Sequence, residues 1–170
     1  MSAEPSPSRS ALTLIQEAPE HQPAIEALLD RAFGPGRFVK SSERVREFAE
    51  FAPELSFCAW SEGQLLGVVR MWRVRVGETP LVFLGPLAVD TDRRSAGVGG
   101  VLVERACEAA HAAGEGAVLL VGDESYFGRF GFAAAPARQV RMPGPVDQRR
   151  VLVRSDGDLG GELHGPVVGR

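Results

Sequence analysis

Residues 81–121 set the frame for the rest of the chain. "LVFLGPLAV" (81–89) and "AVLLV" (117–121) are almost entirely apolar. A strand of that kind is buried on both faces, and the second run reads as a parallel strand inside a sheet. Between them, Val98, Val101, Leu102, Ala106, Ala109 and Ala110 share one face of a helix running from about Val98 to Ala113, which Gly114 and Gly116 end. Strand, helix and buried strand together make the middle of an α/β domain.

The flanking sequence extends that frame. "ALTLIQEA" (11–18) alternates as a half-buried strand does. In "PEHQPAIEALLDRAF" (19–33), Ile25, Leu28, Leu29, Ala32 and Phe33 form a helical stripe that Gly34-Pro35-Gly36 stops. "SSERVREFAEF" (41–51) predicts a second helix with Val45, Phe48 and Phe51 facing inward. "LSFCAW" (55–60) and "QLLGVVRMWRVRV" (64–76) predict a hairpin, and a turn at Gly77-Glu78-Thr79-Pro80 leads into 81–89. After the central unit come a short helical turn in "DESYFGRFGF" (123–132), a strand at 149–154 and a looser one at 162–168. The expected order is βααβββαβαβ around a mixed sheet. A chain of 170 residues fits one domain. The polar, proline-rich residues 1–10 are expected to be a disordered tail, and residues 11–170 the single domain.

Composition narrows the function classes. A net charge of -3 argues against a general nucleic-acid binder. No apolar run nears the ~18 residues that span a bilayer, and residues 1–10 lack the apolar core of a signal peptide. The expectation is a soluble, cytoplasmic protein with no membrane or nucleic-acid partner; a homodimer stays open. Cys58 and Cys107 have no Cys or His at ligand spacing, and His21, His111 and His164 are scattered, so no zinc site or disulfide framework is expected.

The chemistry gathers around Arg94-Ser95-Ala96-Gly97-Val98-Gly99-Gly100. The first turn of a helix carries N–H groups without partners and the positive end of the helix dipole. Glycines at 97, 99 and 100 remove the β-carbons that would hold a phosphate away, and Arg94 adds a cation. This suits the pyrophosphate of a nucleotide, a dinucleotide or coenzyme A. A tight loop with close helix–strand packing explains the glycines equally well. A P-loop is excluded, because Val101-Leu102 follow where Lys-Ser or Lys-Thr is needed. A dinucleotide fingerprint fits poorly: Leu102 stands where its third glycine should, and "DTDRRSA" separates the strand from Gly97. Asp123 could still imitate its ribose-binding acid. Gly85-Pro86 interrupts the apolar strand and predicts a bulge. A bulge would part this strand from 117–121 and leave the backbone of Leu87, Ala88 and Val89 seeking other partners, a role that the amides of a pantetheine arm can fill.

Those residues resemble the GNAT superfamily of acyl-CoA-dependent N-acyltransferases. "LGPLAVD" leads into Arg94-x-x-Gly97-x-Gly99, which is similar to the superfamily's pyrophosphate loop. "VLLVGDESYFGRFGF" resembles a bacterial subgroup with Gly-Asp, an aromatic pair and Gly-Phe. The resemblance covers residues 81–133. It implies a splayed central sheet and acetyl-CoA as cosubstrate without a metal. The amides from Ser95 to Gly100 would hold the pyrophosphate, and Leu87 to Val89 would pair with pantetheine. The amide of Leu87 would polarise the thioester carbonyl. The acceptor would be a primary amine of a small molecule or peptide.

One position departs from the pattern. In many members a tyrosine stands five residues before the Phe of Gly-Phe and protonates the leaving thiolate; here that position is Phe127, and the chain's single tyrosine is its neighbour Tyr126. Adjacent helical residues point about 100° apart. Tyr126 is therefore a candidate general acid only if the turn is irregular; packing beside Phe130 is the competing role. Asp123 and Glu124 lie near the expected crevice, yet they equally suit the cap of the short helix, and no general base is assigned. Arg70, Arg73 and Arg75 read as a solvated strand face. The segments 34–40 and beyond Pro136 would shape the acceptor side. Phe127 also keeps open a non-catalytic coenzyme A sensor, and the glycines a dinucleotide-dependent oxidoreductase.

Overall fold

The structure is a computed structural model that describes residues 12–34, 41–91, 97–156 and 163–170. The expected tail, residues 35–40 of the first loop, and Arg94, Ser95 and Ala96 lie outside the described residues. In chain order the elements are β1 (Thr13–Gln16), α1 (Gln22–Phe33), α2 (Ser41–Arg46), β2 (Glu50–Phe51), β3 (Phe57–Ser61), β4 (Gln64–Val76) and β5 (Thr79–Val89). They continue with α3 (Val98–Ala112), β6 (Ala117–Val121), α4 (Glu124–Phe127), β7 (Gln139–Arg141), β8 (Val151–Ser155) and β9 (His164–Gly169).

The long strand β4 is the spine. β3 pairs with its first half and β2 and β9 with its second, while β5 runs antiparallel along it from Gly67 to Val76. The main sheet order is β1-β3-β4-β5-β6-β8, and β5 and β6 run parallel in it.

The apolar runs are explained by what covers the sheet. In β6, Val118 and Leu120 pack with α3, whereas Ala117 and Leu119 join the core that contains Val45 of α2. β5 divides likewise: Val82 and Leu84 face α3, and Leu81 and Phe83 the other side. Period-two alternation between two apolar cores leaves no polar position, so the sequence reads as continuous. Ile25, Leu28 and Leu29 bury α1 against Cys58, Val68 and Ala88. Burying such a side chain is worth about 1.5–3 kcal/mol.

Some expectations need correction. The second helix ends at Arg46 instead of continuing to Phe51, because Glu50 and Phe51 pair as a strand with Arg73 and Trp72. Phe48 is therefore 42% exposed, not inward. On α3 the buried stripe includes Val103 and Cys107, and Val101 is 43% exposed. The strand β7 has only three residues, too few to show a period.

Candidate active site

The site begins with a mismatch in strand length. Val69 pairs with Leu87 and Met71 with Leu84, so β5 carries one residue more than β4 across the Gly85-Pro86 step. This is the expected bulge. Trp72 steadies it, its Nε1–H donating to the Gly85 carbonyl at 2.6 Å. β5 pairs with β6 only at Val82–Val118 and Phe83–Leu119. Beyond Phe83 the strands part, while β6 continues along β8 as far as Val121–Val151. The gap is a crevice of about 510 Å³ between Leu84–Leu87 on one side and Leu120–Asp123 on the other.

Strand alternation decides which backbone groups face that gap. The Asp90 N–H donates to the Leu66 carbonyl at 2.7 Å, so Asp90 points to β4. Ala88, two residues earlier, points the same way, and Leu87 and Val89 turn their N–H and C=O toward the gap. The free edge is therefore Leu87 and Val89; the backbone of Ala88, grouped with them from sequence, is turned to β4.

The helix α3 starts beside this edge. Gly97 precedes it at φ +75°, in the left-handed region that favours glycine, and no side chain among the described residues caps the helix. The three glycines differ. Among the described residues, a Cβ on Gly97 would meet nothing within 4 Å. A Cβ on Gly99 would lie 3.3 Å from the Tyr126 hydroxyl, and one on Gly100 would lie 3.1 Å from the Phe130 ring. Close packing thus accounts for Gly99 and Gly100. Of the three, only Gly97 has no close neighbour among the described residues.

The segment after β6 supplies those rings. Tyr126 packs edge-on against Phe127 at 4.9 Å and Phe130 at 5.6 Å, and its ring also lines the crevice. Packing beside Phe130 and a place in the crevice wall coexist. Phe127 lies across Gly122, where a Cβ would come within 2.7 Å of its Cδ2. Position 127, where the resemblance leads one to expect a tyrosine, thus holds a packed phenyl ring.

Charged groups complete the picture. Arg70 is buried, not solvated: its guanidinium meets both Glu17 carboxylate oxygens at 2.8–3.2 Å and donates to Gln22 at 2.7 Å. Arg73 pairs with Glu54, and Arg75 is exposed. Asp123 lines the crevice and pairs with Arg150 at 3.1 Å. Glu124 accepts the Ala134 N–H at 2.6 Å, which ties α4 to the following loop. Sequence reasoning missed Glu43, which lines the crevice from α2 at only 7% exposure and accepts from Arg46 Nη1 at 3.0 Å. An acid in the first turn of a helix reads as an ordinary dipole partner, so nothing local set it apart. Phe33, which immediately precedes residues 34–40, and Pro145–Asp147, which lie within the segment beyond Pro136, also line the crevice.

Cys58 and Cys107 are both fully buried. Burial pushes the Cys58 thiol up to about 12, with Glu17 adding to the rise, and burial likewise pushes Cys107 up to about 11. Among the described residues no group of His, Cys, Asp or Glu is arranged to hold a metal. No helix among them is long and apolar enough to cross a membrane.

Comparisons with known proteins agree with this geometry. The family model described as "Acetyltransferase (GNAT) family" matches residues 23–132. The chain is 32% identical over 149 residues to YhbS of Escherichia coli K12, named an uncharacterized N-acetyltransferase, covering 85% of this chain and 89% of that protein. The 1.55 Å crystal structure of Escherichia coli YhbS, a GNAT family N-acetyltransferase in complex with CoA, superposes with a TM-score of 0.77 at 28% identity, over 98% of this chain and 92% of that one. A Brucella melitensis GNAT acetyltransferase in complex with acetyl-CoA shares the fold, with a TM-score of 0.70 at 24% identity over 94% of this chain and 96% of that one. The family match spans well over half of the sequence, and the chain belongs to the GNAT family of acetyltransferases.

Proposed function

We propose that the protein transfers an acetyl group from acetyl-CoA to a primary amine of a small molecule or peptide. The observation that carries this reading is the parting of β5 and β6 beside the glycine-led start of α3. A free strand edge at Leu87 and Val89 there runs from a helix N-terminus into an apolar crevice. The amides of Gly97 to Gly100 hold the pyrophosphate, helped by the helix dipole. The family pattern extends this role to Arg94, Ser95 and Ala96. Leu87 and Val89 hydrogen-bond the amides of the pantetheine arm as a neighbouring strand would. Membership of an acetyltransferase family favours acyl-CoA over a dinucleotide for the glycine loop, and the reaction belongs in the cytoplasm.

The neutral amine attacks the thioester carbonyl, and its C–N bond forms as the carbonyl oxygen takes up charge. The Leu87 N–H stabilises that oxygen; removing such a donor typically costs about 10²–10³ in rate. The C–S bond then breaks, the amine's surplus proton passes to water, and the thiolate leaves. A thiol pKa of about 8.5 makes that departure tolerable unaided. Tyr126, in the crevice wall, supplies the proton to sulfur in place of the absent residue-127 phenol.

The test is thiol release from acetyl-CoA across a panel of primary amines. Release that depends on one class of amine is the expected result. Phe127 favours a second reading, a coenzyme A sensor. Tight CoA binding with no release from any amine supports that reading and sinks the first.

A further inference from the structure

The acceptor side of the crevice carries a carboxylate that the reaction above does not use. The helix α3 packs on one face of the sheet, and α2 packs on the other through Val45, Phe83 and Leu119. A cosubstrate lying along α3 therefore leaves the α2 face of the gap for the acceptor. Glu43 comes from that face. It is 7% exposed, yet it stands in the crevice wall with apolar neighbours in that wall, Phe33 and Val146. Asp123 and Asp147 differ: they are 69% and 42% exposed and pair with Arg150 and Arg149 at the rim.

A carboxylate so buried is held by more than chance. Arg46 donates to Glu43 at 3.0 Å, and its guanidinium lies 3.6 Å from Glu26 and 5.7 Å over the Trp72 ring. Glu26 in turn lies 3.8 Å from Arg70, which is clamped by Glu17. The chain of charges fixes Glu43 in one orientation against α1 and the bulged part of the sheet. Among the described residues this cluster sets three carboxylates, Glu17, Glu26 and Glu43, against two guanidiniums, Arg46 and Arg70, and in a poorly solvated wall that balance favours a cation over an anion.

On the acetyltransferase reading, we propose that Glu43 selects the acceptor. The substrate is a cationic amine with an aliphatic body, whose ammonium docks on the Glu43 carboxylate beside Phe33 and Val146. A free carboxylate is a weaker base than an alkylamine by about 6 pKa units. Glu43 therefore anchors the ammonium, and the proton leaves to water before attack.

The experiment is calorimetric titration of the CoA-loaded protein with 1,4-diaminobutane and, separately, 4-aminobutanoate, on the wild type and on Glu43→Gln. The wild type is expected to bind the diamine more tightly than the amino acid. Glu43→Gln is expected to lose about 10- to 100-fold in diamine affinity, the size of a charge-assisted hydrogen bond, with its CoA affinity unchanged. Preference of the wild type for 4-aminobutanoate, or no binding of either amine, overturns the proposal without any variant. So does a Glu43→Gln protein that keeps both affinities. Failure of the wild type to bind CoA is a different result, and it removes the acetyltransferase reading itself.

Discussion

At the scale of single residues, the exchange of aromatic character at 126 and 127 is the main departure from the family pattern. Phe127 fills space that Gly122 leaves open, and the phenol has moved to Tyr126, whose hydroxyl sits against Gly99. If Tyr126 gives its proton to the leaving sulfur, Tyr126→Phe keeps the edge-on packing and loses only the acid. The expected outcome is a fall in kcat of about 10²-fold or more with KM for acetyl-CoA nearly constant. An unchanged kcat, or a rise confined to KM, would show the hydroxyl to be a binding or packing group. Glu43 belongs to this scale too, since a single neutralised oxygen is expected to change which amine the crevice accepts.

At the scale of elements, the site depends on how closely α3 sits on the sheet. Gly67 of β4 makes that seat. A Cβ there would lie 2.8 Å from Leu102 and 3.0 Å from Val98, with the Ala88 carbonyl at 3.2 Å. Gly67→Ala is expected to destabilise the protein by about 1–3 kcal/mol through overpacking, read as a lower urea midpoint. An unchanged midpoint would mean that the helix slides without penalty, and that its register beside β5 is not fixed by contact. The bulge and the apolar strands were legible in the sequence because each depends on local chemistry: a proline that cannot donate, or an unbroken apolar run. The short strands β2 and β7 were not, since their pairing depends on partners far along the chain. Arg70 misled for the same reason. Alternation assigns a face, but only the fold reveals Glu17 waiting there.

At the scale of the molecule, the chain builds a sheet sandwiched between helices and opens it at one point. The helix α3 and its glycines stand on one face and α2 with Glu43 on the other, so in the proposed reaction the two substrates would approach the same gap from opposite sides. Half of this was legible in the sequence. Gly85-Pro86 lies within the apolar strand and foretold the bulge; the glycine loop and Leu87–Val89 lie in the same stretch of chain, and the cofactor role read for them belongs to the proposal. The α2 side is assembled from Phe33, Glu43 and Pro145–Asp147, which are distant in sequence and have no common motif. The thiol-release panel addresses the two sides together, since turnover needs both.

The central claim is that the open start of α3 exists for a pyrophosphate, and Gly97 is the place to test it. A side chain at 99 or 100 would crowd Tyr126 or Phe130, whereas one at 97 would meet nothing within 4 Å among the described residues. Aspartate tolerates the left-handed conformation better than most residues and would set a carboxylate where the phosphates belong. Calorimetric titration of the wild type and Gly97→Asp with acetyl-CoA, CoA and NAD is therefore the decisive measurement. Binding of acetyl-CoA and CoA but not NAD, lost in a Gly97→Asp protein of unchanged thermal stability, is the expected result. Equal CoA affinity in the two proteins, or binding of NAD alone, would contradict the account.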